Sequence, residues 1–301
     1  MSSRTPIAPR RNVVASCFLL ILGLCVDAAV IAAPAAHHVL WSLPGKSNTV
    51  YLLGSVHFLR PSDELPAAID SAYQDAEKLV MEIDMDDLDP VVAQQTTMEL
   101  GLLPDGRTLE AEVGTPAYRK VSAQAREVGL DVSVLNRFRP WLAAMTLVQL
   151  QLLKHGLDPA SGVEQRLVAR AAADHKEITG LETLQQQLGM LAGLSSEQQR
   201  EFLMYSVDDA DRVSEEIDTL ITAWRAGDTR ALARILAEGF DKYPDLYRPL
   251  TVDRNREWIA NIEDMLQQKD DYMVVVGTLH LVGKNSVIEL LEAKGHKVTQ
   301  H

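Results

Sequence analysis

Two histidines close matching segments of the chain. Val50–His57 reads VYLLGSVH and Met273–His280 reads MVVVGTLH. Each is an apolar run followed by Gly, two residues and His. A third apolar run, Leu79-Val80-Met81-Glu82-Ile83, is interrupted by a carboxylate. A carboxylate left unpaired in an apolar strand is costly, so Glu82 calls for a cation such as a metal ion or an imidazolium. Two imidazoles and one carboxylate make an open metal site with room for a water molecule. The metal in such a site lowers the pKa of that water or polarises a carbonyl. Zn, Mn, Fe and Co all suit the ligand set. Glu82 then reads as a ligand or as the general base, and the residue types leave both roles open. Asp84 shares its strand face by the period of two and is the reserve candidate. Either His alone also reads as a hydrogen-bonded turn residue, and Glu82 as a solvent-facing one. The repetition of the motif about 220 residues later favours a shared site.

Positioning these groups requires a sheet. Runs apolar on both faces belong to central strands of α/β sheets, where ligands gather beyond the carboxyl ends. Gly at a strand exit permits a turn or a close approach. The pattern predicts a β-hairpin from Val39–Trp41 and Thr49–Leu53 around a turn at 44–48, and strands at Lys78–Ile83, Lys176–Gly180, Tyr272–Val276 and Lys297–Gln300. Helices are expected over Leu65–Lys78 with Asp63 as N-cap, Val91–Leu102, Pro116–Val128, Arg139–Lys154, Val163–Ala173 and Glu182–Leu191. Further helical pattern covers Ser195–Trp224, Thr229–Ala237, Leu250–Gln267 and Ser286–Lys294. The expected fold is α/β: a mixed central sheet with G-x-x-H strand ends and a large helical insertion.

Composition narrows the function. The 301 residues are 47% hydrophobic, enough for a sizeable core, and carry a net charge of −13. That charge argues against nucleic acid and anionic membrane surfaces as partners. Residues 1–33 read as a signal peptide: Arg4, Arg10 and Arg11, then apolar Val13–Val26, then small residues. The apolar run is short for a membrane span, although an uncleaved anchor remains an alternative. Both cysteines, Cys17 and Cys25, lie inside it, so thiolate chemistry and disulfides are excluded from the mature chain. Neither H-E-x-x-H nor G-x-S-x-G is present. His37 and His38 read as part of a loose N-terminus, His155 as a helix cap, and His175, His296 and His301 as surface residues. Trp141, Trp224 and Trp258 read as core, and the acidic run Asp208–Asp211 as a solvated helix face.

At these residues the sequence resembles the TraB/GumN family, which includes the TIKI proteins. The resemblance rests on GSVH (Gly54–His57), MEID (Met81–Asp84) and GTLH (Gly277–His280), with Val282-Gly283 following. A middle block, SGVEQRLVARAAADHKEITGLETLQQQL, and the helix RNREW (Arg254–Trp258) also match, with Glu182 and Gln187 on polar positions of the pattern. The family usually has Asp where Glu164 stands, which puts any ligand-orienting role of that position in question. The resemblance implies that residues 34–301 form one domain, a metal-dependent hydrolase of metallopeptidase type. His57, His280 and Glu82 would form its metal and catalytic centre.

The expected cofactor is a divalent ion: Mn, Co or Zn. The expected partner is a peptide or small-molecule substrate, with Arg254 and Asn255 binding it or orienting a ligand, in a cleft walled by insertion helices including Arg139–Lys154. The signal segment predicts a periplasmic or secreted location, with no stable membrane span after its removal. Two alternatives stand beside this. One is a haem- or metal-binding protein without catalysis. The other is an envelope or polysaccharide-biosynthesis accessory factor of GumN type.

Overall fold

The computed structural model describes residues 37–208, 213–240 and 244–301. The expected signal segment and most of the acidic run lie outside the described residues.

The chain opens with a hairpin, β1 (Leu40–Pro44) and β2 (Thr49–Ser55), followed by α1 (Ala67–Asp75) and β3 (Lys78–Ile83). The insertion then runs through α2 (Pro90–Gly101), α3 (Leu109–Val113), α4 (Thr115–Glu127), α5 (Pro140–Lys154) and α6 (Val163–Asp174). It returns to the sheet as β4 (Ile178–Glu182). A second helical run holds α7 (Leu184–Gly193), α8 (Ser196–Asp208), α9 (Val213–Arg225), α10 (Thr229–Phe240), α11 (Pro244–Tyr247) and α12 (Asp253–Met265). The chain ends on β5 (Tyr272–Gly277), α13 (Val287–Ala293) and β6 (Thr299–Gln300).

The strands form one mixed sheet in the order β4-β3-β5-β2-β1-β6. The first four run parallel, and β1 is antiparallel to both β2 and β6. The parallel strands carry the apolar runs: Leu52, Leu53, Leu79, Val80, Met81 and Val274 to Val276 are all buried. Burial on both faces demands apolar residues at consecutive positions, which is why these segments lack alternation. Register places Ser55 beside Gly277, Met81 beside Val275, and Ile83 beside Glu182. The carboxyl ends of the four strands therefore lie level along one edge. A second core, with Leu109, Val121, Leu147 and Leu203, sits among α3, α4, α5 and α8.

Local signals explain most boundaries. Asp89 caps α2 by accepting from the N–H groups of Val91 and Val92, with Pro90 pre-set at the first helical position. Thr183 and Gln186 form a reciprocal capping box that starts α7, so Glu182 stays in β4 and does not open the helix. α1 begins after Pro66. Asp63, expected as its cap, instead accepts from Arg60 N–H and from Arg225. α3 was not expected. Its five residues are set off by the Thr108 cap and by Gly114 at φ 80°.

Candidate functional site

His57 and His280 leave neighbouring parallel strands by matching Gly-x-x-His sequences but different turns: β2 runs on to Ser55 and His57 follows in a bend, whereas Thr278–His280 forms a 3-10 turn directly after β5. Their glycines serve space: neither has a positive φ. A Cβ on Gly277 would stand 3.3 Å from Glu82 Oε1 and 3.7 Å from both His57 Nε2 and His280 Cδ2. The two rings and the carboxylate thus surround a single point that only a missing side chain leaves open. A Cβ on Gly54 would press on Val39 and stand 3.3 Å from Thr278 Cα, so this glycine lets the two turns approach each other. Thr278 Oγ1 donates to the Ser55 carbonyl at 2.8 Å and Trp224 Nε1 donates to the Gly54 carbonyl at 2.7 Å, tying both exits in place.

Each ring is oriented through Nδ1. His57 donates to Glu164 Oε1 at 2.7 Å, and Ser55 Oγ donates to the same oxygen. Asn255 is fully buried, and its Nδ2 donates to the Asn285 carbonyl at 2.8 Å. That fixes Oδ1 as the end facing His280 Nδ1 at 2.6 Å, so the imidazole must donate there. The lone pair of neutral His280 is then on Nε2. Its ring lies 4.5 Å from Trp258, centroid to centroid.

The carboxylates are gathered by Arg254. Its Nη2 donates to Glu82 Oε2 at 2.6 Å and to Glu182 Oε2 at 3.0 Å, and its Nε donates to Glu182 Oε1 at 2.8 Å. Nη1 faces the Leu250 carbonyl at 3.4 Å and His280 Nε2 at 3.2 Å. All three nitrogens of the guanidinium thus have protein partners. Glu82 also accepts from Gly277 N–H at 2.8 Å and Gln187 Nε2 at 3.0 Å, while Glu182 accepts from Trp258 Nε1 at 2.9 Å. A π-helical turn, Arg248–Val252, runs directly into α12 and sets its register just before Arg254 and Asn255.

These contacts separate the charge states. Burial alone would raise the Glu82 carboxyl, but the charges of His280, Arg254 and His57 outweigh it and hold the group down at about 2. The Glu164 carboxylate lifts His57 to about 9 and outweighs the partial desolvation of its ring. Burial lowers His280 to about 4, with Arg254 and His57 adding to the effect and Glu82 opposing it. Glu164 is held below the ordinary range, because His57 and Ser55 outweigh its burial.

The donor set suits a divalent ion in its chemistry. Both rings have Nδ1 held by an oxygen acceptor, as metal-binding histidines do, so that Nε2 is the nitrogen turned toward the centre. The cation now in contact is Arg254, and a bound ion would replace its contact with His280. Among the described residues no group of three His, Cys, Asp or Glu side chains has metal-holding geometry. A cavity of about 240 Å³ reaches this centre and is bounded by His57, Glu82, Glu164 and Gln187.

The profile of the TraB/PrgY/gumN family matches residues 39–300. The chain belongs to that family. Other members of TraB/PrgY/gumN type resemble it over nearly their whole length. The YbaP protein of Shigella flexneri is 24% identical over 279 residues, covering 86% of this chain and 96% of its own. YbaP of Escherichia coli (strain K12) gives the same identity and coverage. A protein of Treponema pallidum (strain Nichols) is 24% identical over 318 residues, 95% of this chain and 92% of its own. None of these names states an activity. No solved structure matches.

The fold brings together His57, Glu82, His280, Arg254 and Asn255. Asp84 stays apart: its carboxyl accepts from Asp87 N–H at 3.4 Å and faces the acidic turn. Glu164, the departure from the family pattern, orients His57. Ser55 and the Gly277 N–H were not anticipated, whereas Asn255 faces His280 Nδ1, the ligand-orienting one of its two expected roles. Only the middle-block match, which includes Glu164, Glu182 and Gln187, pointed toward this shell. The cleft wall differs from expectation as well. Pro159, Gln165 and Gln187 line it, from the segment before α6, from α6 itself and from α7. α5 does not, because its buried residues pack into the two helical cores. Trp141, Trp224 and Trp258 are core residues, and His155 caps α5. His38 pairs with the strand edge, its N–H donating to the His301 carbonyl.

Proposed function

We propose that the chain is a metal-dependent hydrolase acting on peptides or related small substrates outside the cytoplasm. The observation that carries this is the convergence of His57 Nε2, the His280 ring and Glu82 Oε1 around Gly277 at the carboxyl edge of the sheet. Mn, Co or Zn would be held by His57, His280 and Glu82, and would supply polarisation of a carbonyl and activation of water. The protein's own groups have distinct tasks. Glu164 and Asn255 fix the two tautomers. Arg254 pairs with Glu82 and Glu182 and helps hold the Glu82 carboxyl in its ionised form. Because Glu82 is held so far down, it is a weak base, and its place is as a charge or ligand at the centre. Arg254 and Asn255 would then position the centre, and any hold on substrate would require Arg254 to release a present partner.

The test is elemental analysis of the purified protein beside His57→Ala and His280→Ala, with a peptide library assayed with and without Mn, Co or Zn. A stoichiometric metal lost in both variants, with metal-dependent turnover, is the expected result. Equal metal content in all three proteins overturns the proposal. Tight metal or haem binding with no turnover of any peptide replaces it with a binding function.

A further inference from the structure

The cavity at the centre has two chemically different boundaries. Toward the sheet edge stand the ionised groups already described. The remainder is apolar: Phe58, Met81, Ile83, Met85, Pro159 and Val275. They come from four separate stretches: the turn after β2, the β3 strand with the loop beyond it, the segment before α6, and β5, which contributes Val275. Gln165, which is exposed, adds an amide at the boundary. At about 240 Å³ the space falls below the roughly 300–1,000 Å³ typical of sites that enclose a whole drug-sized ligand. It has room for one compact group. Phe58 and Met85 are only partly buried, so apolar surface faces a solvent-connected cavity beside a buried ion-pair cluster. Such surface gains from being covered by an apolar group. Two methionines in the wall favour tolerance, because an unbranched thioether repacks around guests of different outline.

We propose that this cavity is a specificity subsite, taking one compact apolar group, an amino-acid side chain of Met or Leu size or a short acyl chain, attached to the carbonyl that the centre attacks. This rests on the hydrolase reading of the centre. It predicts that the apolar group docks first and thereby brings the adjoining carbonyl beside His57 and Glu82. Selection is broad among apolar groups and strong against Gly and Asp. Glycine leaves the wall uncovered, and aspartate places a charge against apolar atoms and two carboxylates.

The test measures binding and turnover separately. Saturation-transfer NMR would follow N-acetyl-L-methioninamide, N-acetylglycinamide, N-acetyl-L-aspartamide and hexanamide on the wild-type protein. The methionine amide is expected to bind on the order of tenfold or more tighter than the glycine amide, the scale of discrimination an apolar pocket achieves. Hexanamide distinguishes the sources: binding equal to that of the methionine amide assigns the subsite to acyl chains, and weaker binding assigns it to side chains. Met85→Gln, of similar length but polar, is expected to erase the preference. Met85→Ala enlarges the space and is expected to move the optimum to N-acetyl-L-phenylalaninamide. Unfolding midpoints near that of the wild type would confirm that both variants fold. Equal binding of the glycine and methionine amides, or a preference untouched by both Met85 changes, overturns the subsite. The two readings fail differently. A binding preference with no turnover of any peptide removes the hydrolase and leaves the subsite. Turnover indifferent to the side chain removes the subsite and leaves the hydrolase.

Discussion

His57 and His280 close the same Gly-x-x-His sequence on adjacent parallel strands, yet they end in opposite electrostatic situations. The His57 side chain is 61% exposed, and its Nδ1 lies on a carboxylate. The His280 side chain is 6% exposed, and its Nδ1 lies on a neutral amide. The first ring is lifted to about 9 and the second lowered to about 4. The motif therefore sets where a ring stands, while its charge is set by its surroundings: the Glu164 carboxylate for His57 and burial for His280. One protonated and one neutral imidazole facing a single carboxylate form an asymmetric centre, in which His57 must give up its Nε2 proton before it can act as a metal ligand.

Removing Arg254 would break this contrast most severely. Arg254→Met leaves Glu82 and Glu182 buried without their cation, and His280 without the charge that helps keep it neutral. A loss of about 3–5 kcal/mol is expected, the cost of orphaning a buried ion pair, read from urea unfolding. A loss near zero would mean that the carboxylates find other partners.

The glycines come next. Gly54→Ala forces a methyl onto Val39 and the Thr278 backbone, and about 1–3 kcal/mol of destabilisation is expected. Gly277→Ala meets only side-chain atoms at 3.3 to 3.7 Å. It should fold with less than about 1.5 kcal/mol of loss, a small packing change, while losing metal content and any turnover. Equal stability losses in the two variants would dissolve the distinction between a structural and a functional glycine.

Converting one ring into the other sharpens the contrast. Asn255→Asp places a carboxylate behind His280 and should raise its titration midpoint above about 4 in an NMR titration. It also leaves the Asn285 carbonyl without its donor, at a cost of about 1–3 kcal/mol. Glu164→Gln should lower the His57 midpoint from about 9 toward 6.5 and leave His280 where it is.

The smallest effect is on stability against pH. A folded value above the unfolded one means that protonated His57 favours the fold below 6.5, and that this contribution fades as pH rises through about 9. His280 works the other way: its contribution is present above 6.5 and lost as pH falls toward about 4. Only the alkaline loss should disappear in Glu164→Gln, as measured by unfolding midpoints across pH.

The strands and the two turns were legible because they depend on local pattern. Val50–His57 and Met273–His280 announce themselves by apolar runs closed with glycine, and Lys78–Ile83 has the bounds read from sequence. The fixing of each ring was not legible. Ser55 and Glu164 lie 109 positions apart, and no periodicity relates them. Binding substrate and orienting a ligand both stayed open for Asn255, because the sequence does not show which way it faces; with the π turn before α12, it is fully buried against His280. A π turn has no strong sequence signature. Glu164 drew notice only as a departure from a family pattern, although the departure preserves its contact with His57.

The central strand is also the late one. β5 lies between β3 and β2, and its partner contacts bridge up to 223 positions, as from Thr278 to Ser55. Until synthesis passes residue 277, β2 and β3 each keep an unsatisfied edge, the template for wrong pairing between chains. The entropic cost of closing so long a loop rises only logarithmically, but such distant contacts slow folding. A chain stopped before β5 would therefore keep two open strand edges and lack the centre altogether.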